Sequence, residues 1–168
     1  MAGFAYSEDS QYVKQILEPT GGNIDRPKDW YYLEAHNDNS WLWIISREEV
    51  IEKPYDVGVR IQAVPRIQEI TGKTPKQFIL DFKAQKKSEA DKVINECSAT
   101  NDGLFSRVCL ETEEGKYRIL YSLFWGNGTD VVVVSISGAP KDEWATYQET
   151  FNHMTRFELI DVSRFVGQ

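Results

Sequence analysis

The chain has 168 residues, with 19 basic against 26 acidic side chains for a formal net charge of −7; 41% of residues are hydrophobic and 27% charged. That composition is one of a single globular domain over 1–168, able to bury roughly two thirds of its unfolded surface, and it excludes a disordered or collagen-like chain. No apolar run, Val131–Val134 included, approaches the roughly 20 residues that cross a hydrocarbon core, and Tyr6-Ser7-Glu8-Asp9-Ser10 interrupts any secretory hydrophobic region, so the chain reads as soluble.

Tyr12, Val13, Ile16 and Leu17 recur at helical spacing behind a Ser7 cap, with Pro19 and Gly21-Gly22 as the stop, which predicts a short amphipathic helix over 7–17. After Gly22 the period becomes two. Trp30-Tyr31-Tyr32-Leu33 and the run Trp41 to Ile45 flank Asn37-Asp38-Asn39-Ser40, residues that tolerate a tight reversal, and this predicts a hairpin. Pro54 breaks the chain; Val57, Val59, Ile61 and Ala63 then alternate with Gly58, Arg60 and Gln62 as a strand with one buried face. Thr74-Pro75-Lys76-Gln77 is a capping box with proline at the first helical position, and Phe78, Ile79 and Phe82 form the stripe of a helix that ends near Lys87-Ser88.

Lys92–Ser98 is predicted to turn at Asn101-Asp102-Gly103 into Leu104–Thr112, and Tyr117–Trp125 and Val131–Ser137 continue the meander through turns at Glu114-Gly115 and Gly126 to Asp130. Val131–Val134 with Ile136 is apolar on both faces, the pattern of a central strand covered from both sides. A last helix from Pro140 carries Trp144, Tyr147, Phe151 and Met154 on one side. The sum is an α+β chain: a mostly antiparallel sheet flanked by helices on both faces, with its core over 22–160 and no linker or repeat.

An acidic average surface repels phosphate, and the densest basic group, Lys83, Lys86 and Lys87, is flanked by Asp81, Glu89 and Asp91 as on a solvated helix face. Nucleic acid is therefore not an expected partner. Cys97 and Cys109 are too few for a disulfide scaffold and lack metal-ligand spacing. A turn at 101–103 sets position 97 opposite about 107–109, within reach of a bridge in some registers only; two buried thiols are the preferred reading, and the compartment stays open.

Several fragments resemble catalytic motifs and fail on context. Gly72-Lys73-Thr74 ends like a phosphate-binding loop, but the first glycine of that motif is replaced by Ile67 and the cap already explains Thr74. Gly126-Asn127-Gly128 lies between strands, where turn chemistry accounts for it, and Asn127-Gly128-Thr129 is a short glycosylation sequon. Neither His36 nor His153 can be tied to a nucleophile, Ser137-Gly138 lacks the elbow pattern, and no catalytic residue is expected. Glu34, His36 and Asp38, two apart at the hairpin mouth, are the weak candidates for a metal; no cofactor is expected.

Five tryptophans and eight tyrosines are expected mainly to pack the core. The alternative is an aromatic partner surface, for which Trp41, Trp43 and Ile45 share one strand face: it is a binding patch if the first helix leaves it uncovered.

Ile24-Asp25-Arg26-Pro27-Lys28-Asp29-Trp30 resembles the opening strand of PsbP-like and DcrB-like domains, a hydrophobe, a proline, two residues and a tryptophan. Thr74–Phe78, Asp102-Gly103 and Tyr117–Ile136 are similar to their middle, and Trp144 to Leu159 to their final helix and strand. The resemblance, over about residues 22–160, implies the Mog/PsbP α/β/α sandwich, whose members are mostly assembly or binding proteins without catalysis. The metal-binding residues of the photosynthetic branch have no counterpart here, no lipobox cysteine stands near Met1, and no functional residue carries over. The expectation is a non-enzymatic protein-binding or accessory domain with another protein as partner and its oligomeric state open. The alternative is a small ligand- or metal-binding protein or hydrolase using the Glu34–Asp38 hairpin. Its location is either cytoplasmic or that of a mature extracytoplasmic domain.

Overall fold

The computed structural model describes residues 11–159. Within them Tyr12–Leu17 is a strand, β1, and not the expected helix; it pairs antiparallel with β2, Gly22–Pro27, from Tyr12↔Pro27 to Leu17↔Gly22. A six-residue stretch fits either period. Here the features taken as a helix stop form the hairpin turn: Gly21 adopts φ +80° and donates its N–H to the Leu17 carbonyl at 3.1 Å, and the β-branched and aromatic residues before it favour a pleated surface. The expected Ser7 cap lies outside the described residues.

The predicted Trp30–Ile45 hairpin forms as β3 (Tyr31–Glu34) and β4 (Trp41–Ser46), followed by β5 (Gly58–Pro65). A short helix α1 (Ile67–Thr71), which no local pattern announced, has its first turn fixed from far along the chain: Asp130 accepts the Gln68 N–H on its carboxylate at 3.0 Å and the Arg66 N–H on its carbonyl at 2.7 Å. Helix α2 (Pro75–Glu89) starts as the capping box requires, with the Gln77 N–H donating to Thr74 Oγ1 at 3.1 Å. The meander is β6 (Lys92–Asn101), β7 (Phe105–Glu114), β8 (Tyr117–Gly126) and β9 (Val131–Pro140). Pro140 closes β9 instead of opening the last helix; α3 (Trp144–Met154) begins after an intervening turn.

Strands β3 to β9 make one seven-stranded sheet in the order β3-β4-β5-β9-β8-β7-β6, with every neighbouring pair antiparallel. β9 lies at its centre, as an apolar pattern on both faces requires. Val131 and Val133 enter a cluster on one face with Trp43, Ile45, Val59 and Ile61, roofed by the β1–β2 hairpin and by Trp144, Phe151 and Met154 of α3. Val132 faces the other way, into a cluster with Ile67, Ile79, Leu110, Tyr121 and Leu123 beneath α1 and α2. Each fully buried valine or isoleucine contributes about 1.5–3 kcal/mol over its exposed state.

The cysteines correct the preferred reading. Cys97 and Cys109 stand directly opposite one another with Cα atoms 5.0 Å apart, are joined by a disulfide, and are half-buried instead of buried. On the same β6–β7 edge, Glu96 receives Lys87 Nζ at 2.7 Å and Lys83 Nζ at 3.1 Å, which ties α2 down to the outermost strand. Two of the three lysines expected on a solvated face therefore have a structural partner.

Those ammonium groups, Lys87 first, hold the Glu96 carboxyl below its ordinary value of 4.5. A carboxyl depressed in the folded state adds stability above the unfolded value and loses it as pH falls through the folded one. Glu96→Gln should therefore lower the midpoint of thermal unfolding at pH 7 and flatten its fall between pH 5 and pH 3; equal acid sensitivity in both proteins contradicts this clasp.

Candidate functional site

The polar hairpin assembles only in part. The β3–β4 loop closes on itself, with Asn37 Oδ1 accepting the N–H groups of Asn39 and Ser40, each at 2.8 Å. His36 turns back toward the β1–β2 turn. Its Nδ1 accepts the Leu42 N–H at 3.0 Å, so the ring proton sits on Nε2, which faces the Glu18 carbonyl at 3.0 Å and Glu34 Oε1 at 3.2 Å. The other Glu34 oxygen takes the Tyr32 hydroxyl at 2.8 Å, and Trp43 Nε1 donates to the same Glu18 carbonyl at 2.7 Å. Burial, then this bond to Glu34, pushes the Tyr32 phenol well above the ordinary tyrosine range.

Both His36 nitrogens are thus occupied, Nδ1 within its own hairpin and Nε2 in tying it to the β1–β2 turn, and the ring offers no lone pair to a metal or to a nucleophile's proton. Asp38 lies at the exposed loop tip, apart from the other two, and no set of three metal-ligating side chains forms among the described residues. His153 is engaged elsewhere, stacked on Tyr12 at 4.1 Å with Nε2 2.9 Å from Asp25. Among the described residues no hydrogen bond joins either histidine to a serine, threonine or cysteine side chain, and both thiols are spent in the bridge.

The aromatic face lies elsewhere than a partner surface requires. Trp43 and Ile45 are 0% exposed and Trp41 is half-buried against them. The hairpin that replaces the expected helix, together with α3, roofs that side of β4, so Trp41, Trp43 and Ile45 pack the core.

The alternate positions of the same strands tell the opposite story. Pairings Leu33↔Ile44 and Tyr31↔Ser46 on one side of β4, and Leu42↔Gln62 and Ile44↔Arg60 on the other, align these residues on the face shared with α2. α2 packs chiefly over β7, β8 and β9. Tyr31 is 46% and Leu33 38% exposed, and Leu42 and Ile44 are half-exposed. Toward α2 this face deepens into a recess of about 400 Å³ floored by Val64, Val134 and Ile136, with Phe78 and Phe82 on the helix wall. At one end the loop after β4 packs down. Tyr55 lies over Gly58, where an added Cβ would meet both the Tyr55 ring and the Ile45 carbonyl at 2.8 Å. Arg47 anchors the root of this loop on α3, its Nη1 2.7 Å from Glu143 Oε1 and 2.9 Å from the Tyr147 hydroxyl.

Sequence reasoning missed this face because it asked only which side of β4 held the tryptophans. The signal was present: Trp41-Leu42-Trp43-Ile44-Ile45 is apolar at every position, so the face that carries Leu42 and Ile44 is as apolar as the one that carries the tryptophans.

No protein-family model matches the chain, and no curated protein matches it in sequence. Solved structures do. The solution structure of cyanobacterial PsbP (CyanoP) from Synechocystis sp. is similar at a TM-score of 0.56 with 12% identity, over 95% of this chain and 98% of that one. The Ran-binding protein Mog1p of Saccharomyces cerevisiae is similar at 0.51, also with 12% identity, over 92% and 98%. The fold is therefore of the PsbP/Mog kind, as the resemblance implied, and at these identities the likeness extends to the fold alone.

Trp43→Ala should cost about 3–5 kcal/mol of stability, measured by denaturant unfolding, whereas Leu33→Ala on the open face of β3 should change it by less than about 1 kcal/mol. Comparable losses from the two would contradict this assignment of covered and open faces.

Proposed function

We propose that the chain is a non-enzymatic protein-binding domain whose partner seats on the α2-side face of β3, β4, β5 and β9. One observation carries this reading: Tyr31, Leu33, Leu42 and Ile44 form an apolar strip on β3 and β4 that no helix of the described residues covers, and across Arg60 and Gln62 of β5 it adjoins the recess beside α2. A β-sheet stabilises itself by covering such a face, and an uncovered apolar strip rimmed by polar groups marks an interaction site. The saturation of His36 and Glu34 by structural bonds, and the bridging of both cysteines, count against a reaction at the polar hairpin. Mog1p, which shares the fold, is a Ran-binding protein, and this supports a binding role without naming the partner here. The bridge itself fits an oxidising compartment, which favours the extracytoplasmic alternative.

The test is a photo-crosslinking amino acid placed in turn at Tyr31, at Leu33 and at Glu149, an exposed position on α3, in cells of the source organism. Positions 31 and 33 should trap one shared protein, recovered outside the cytosolic fraction, and position 149 should not. Equal capture from all three positions, or none from 31 and 33, would contradict the reading.

A further inference from the structure

The chain carries seven more acids than bases, yet the charged side chains of the described residues that line the recess between α2 and strands β5 and β9 are both basic. Arg60 rises from the β5 wall and Lys86 from the α2 wall, and no carboxylate of the described residues lines the space between them. Arg60 is exposed and makes no ion pair among the described residues. Lys86 has only Glu89, at 3.8 Å, and its ammonium lies 5.5 Å from the centre of the Phe82 ring. The contrast with the far side of the same helix is informative, because there Lys83 and Lys87 both close on Glu96. One flank of α2 thus has its cations held on the sheet by Glu96, whereas over the recess Lys86 has a longer contact within its own helix and Arg60 has no ion pair among the described residues.

The recess also has length. Past Ile136 it meets a second hollow of about 300 Å³ walled by Pro54, Tyr55 and Ile119, where the Asp56 carboxylate is engaged by the Tyr117 hydroxyl at 2.6 Å, so a mostly apolar trough runs between α2 and the loop after β4 and carries its cations at the α2 end. Such a trough accepts the apolar side chains of an extended or helical segment, and its energy comes from anchors withdrawn from water into it. A guanidinium offers paired donors in the geometry of a carboxylate, and an ammonium a point charge. The chain as a whole repels an acidic segment, and these two cations give it a local attraction that sets register and association rate.

Resting on the binding reading above, we infer that the trough seats an acidic amphipathic segment of the protein partner, with apolar side chains over Val134 and Ile136 and carboxylates on Arg60 and Lys86. The probe is a displayed library of random 16-residue peptides, selected in parallel on the full chain and on its Arg60→Glu, Lys86→Glu double variant. The wild type should enrich Asp and Glu beside apolar residues, and the double variant Lys and Arg. A labelled synthetic winner from the wild-type selection should bind the double variant at least tenfold more weakly, with affinity falling as salt rises, and should also weaken on Ile136→Thr. Arg60→Gln, a change at an exposed position, repeats the direction of the effect should charge reversal disturb folding. Winners without acidic preference that still need Ile136 would overturn the acidic partner and leave the binding surface standing. Winners indifferent to every variant, or no winners, would overturn both.

Discussion

The central strand sets the terms for everything around it. Val131, Val132 and Val133 are successive residues of β9, and a strand sends successive side chains to opposite faces, so both sides of the sheet must be covered at that line. The chain meets the constraint with unlike covers: a β-hairpin and α3 on one side, α1 and α2 on the other. Because α2 has only fifteen residues and lies chiefly over β7, β8 and β9, no helix of the described residues covers its side of the sheet beyond β5. The uncovered strip is a consequence of that mismatch in reach.

What keeps the two covers in place is a small set of polar ties between elements distant in sequence. The Glu18 carbonyl, receiving His36 and Trp43, joins the first hairpin to the sheet; Arg47 joins the loop after β4 to α3; Glu96 joins the outermost strand to α2. Each individual bond contributes modestly. Together they consume the groups from which chemistry would be built. His36 is the clearest case: a side chain that looks like a ligand or base in isolation is here a connector whose two nitrogens are both in use. The same arrangement leaves the open face of β3 and β4 to apolar side chains and to Arg60, which has no ion pair among the described residues.

Much of the fold was legible because the decisive patterns are local. Thr74-Pro75 with Gln77 fixes the start of α2 through one hydrogen bond; Asn37 and the 101–103 turn fix two hairpins; the valine run identifies the central strand. The misreadings arise where a local pattern has two solutions. Tyr12–Leu17 is too short for helical and strand periodicity to differ decisively, and pairing with β2 settles it. α1 has no local signature because its cap is Asp130, more than sixty positions away. The cysteines depend on a register that bulges in β6 shift, so spacing alone left the bridge undecided. The trio Glu34, His36 and Asp38 fails for a related reason: β3 ends at Glu34, so strand periodicity does not extend to Asp38, which sits in the exposed bend of the loop. For the site, the tryptophans drew the reasoning to the covered face, although the leucine and isoleucine between them are what the solvent meets.

The central claim is that this sheet is roofed on one side and half bare on the other. Covalent footprinting with photogenerated carbene, read residue by residue by mass spectrometry, tests it most directly in the intact chain. The account predicts heavy labelling at Tyr31 and Leu33, intermediate labelling at Leu42 and Ile44, and almost none at Trp43, Ile45 and Ile61 on the opposite face of the same strands. Labelling that is equal on the two faces, or heavier at Trp43 than at Leu33, would contradict it.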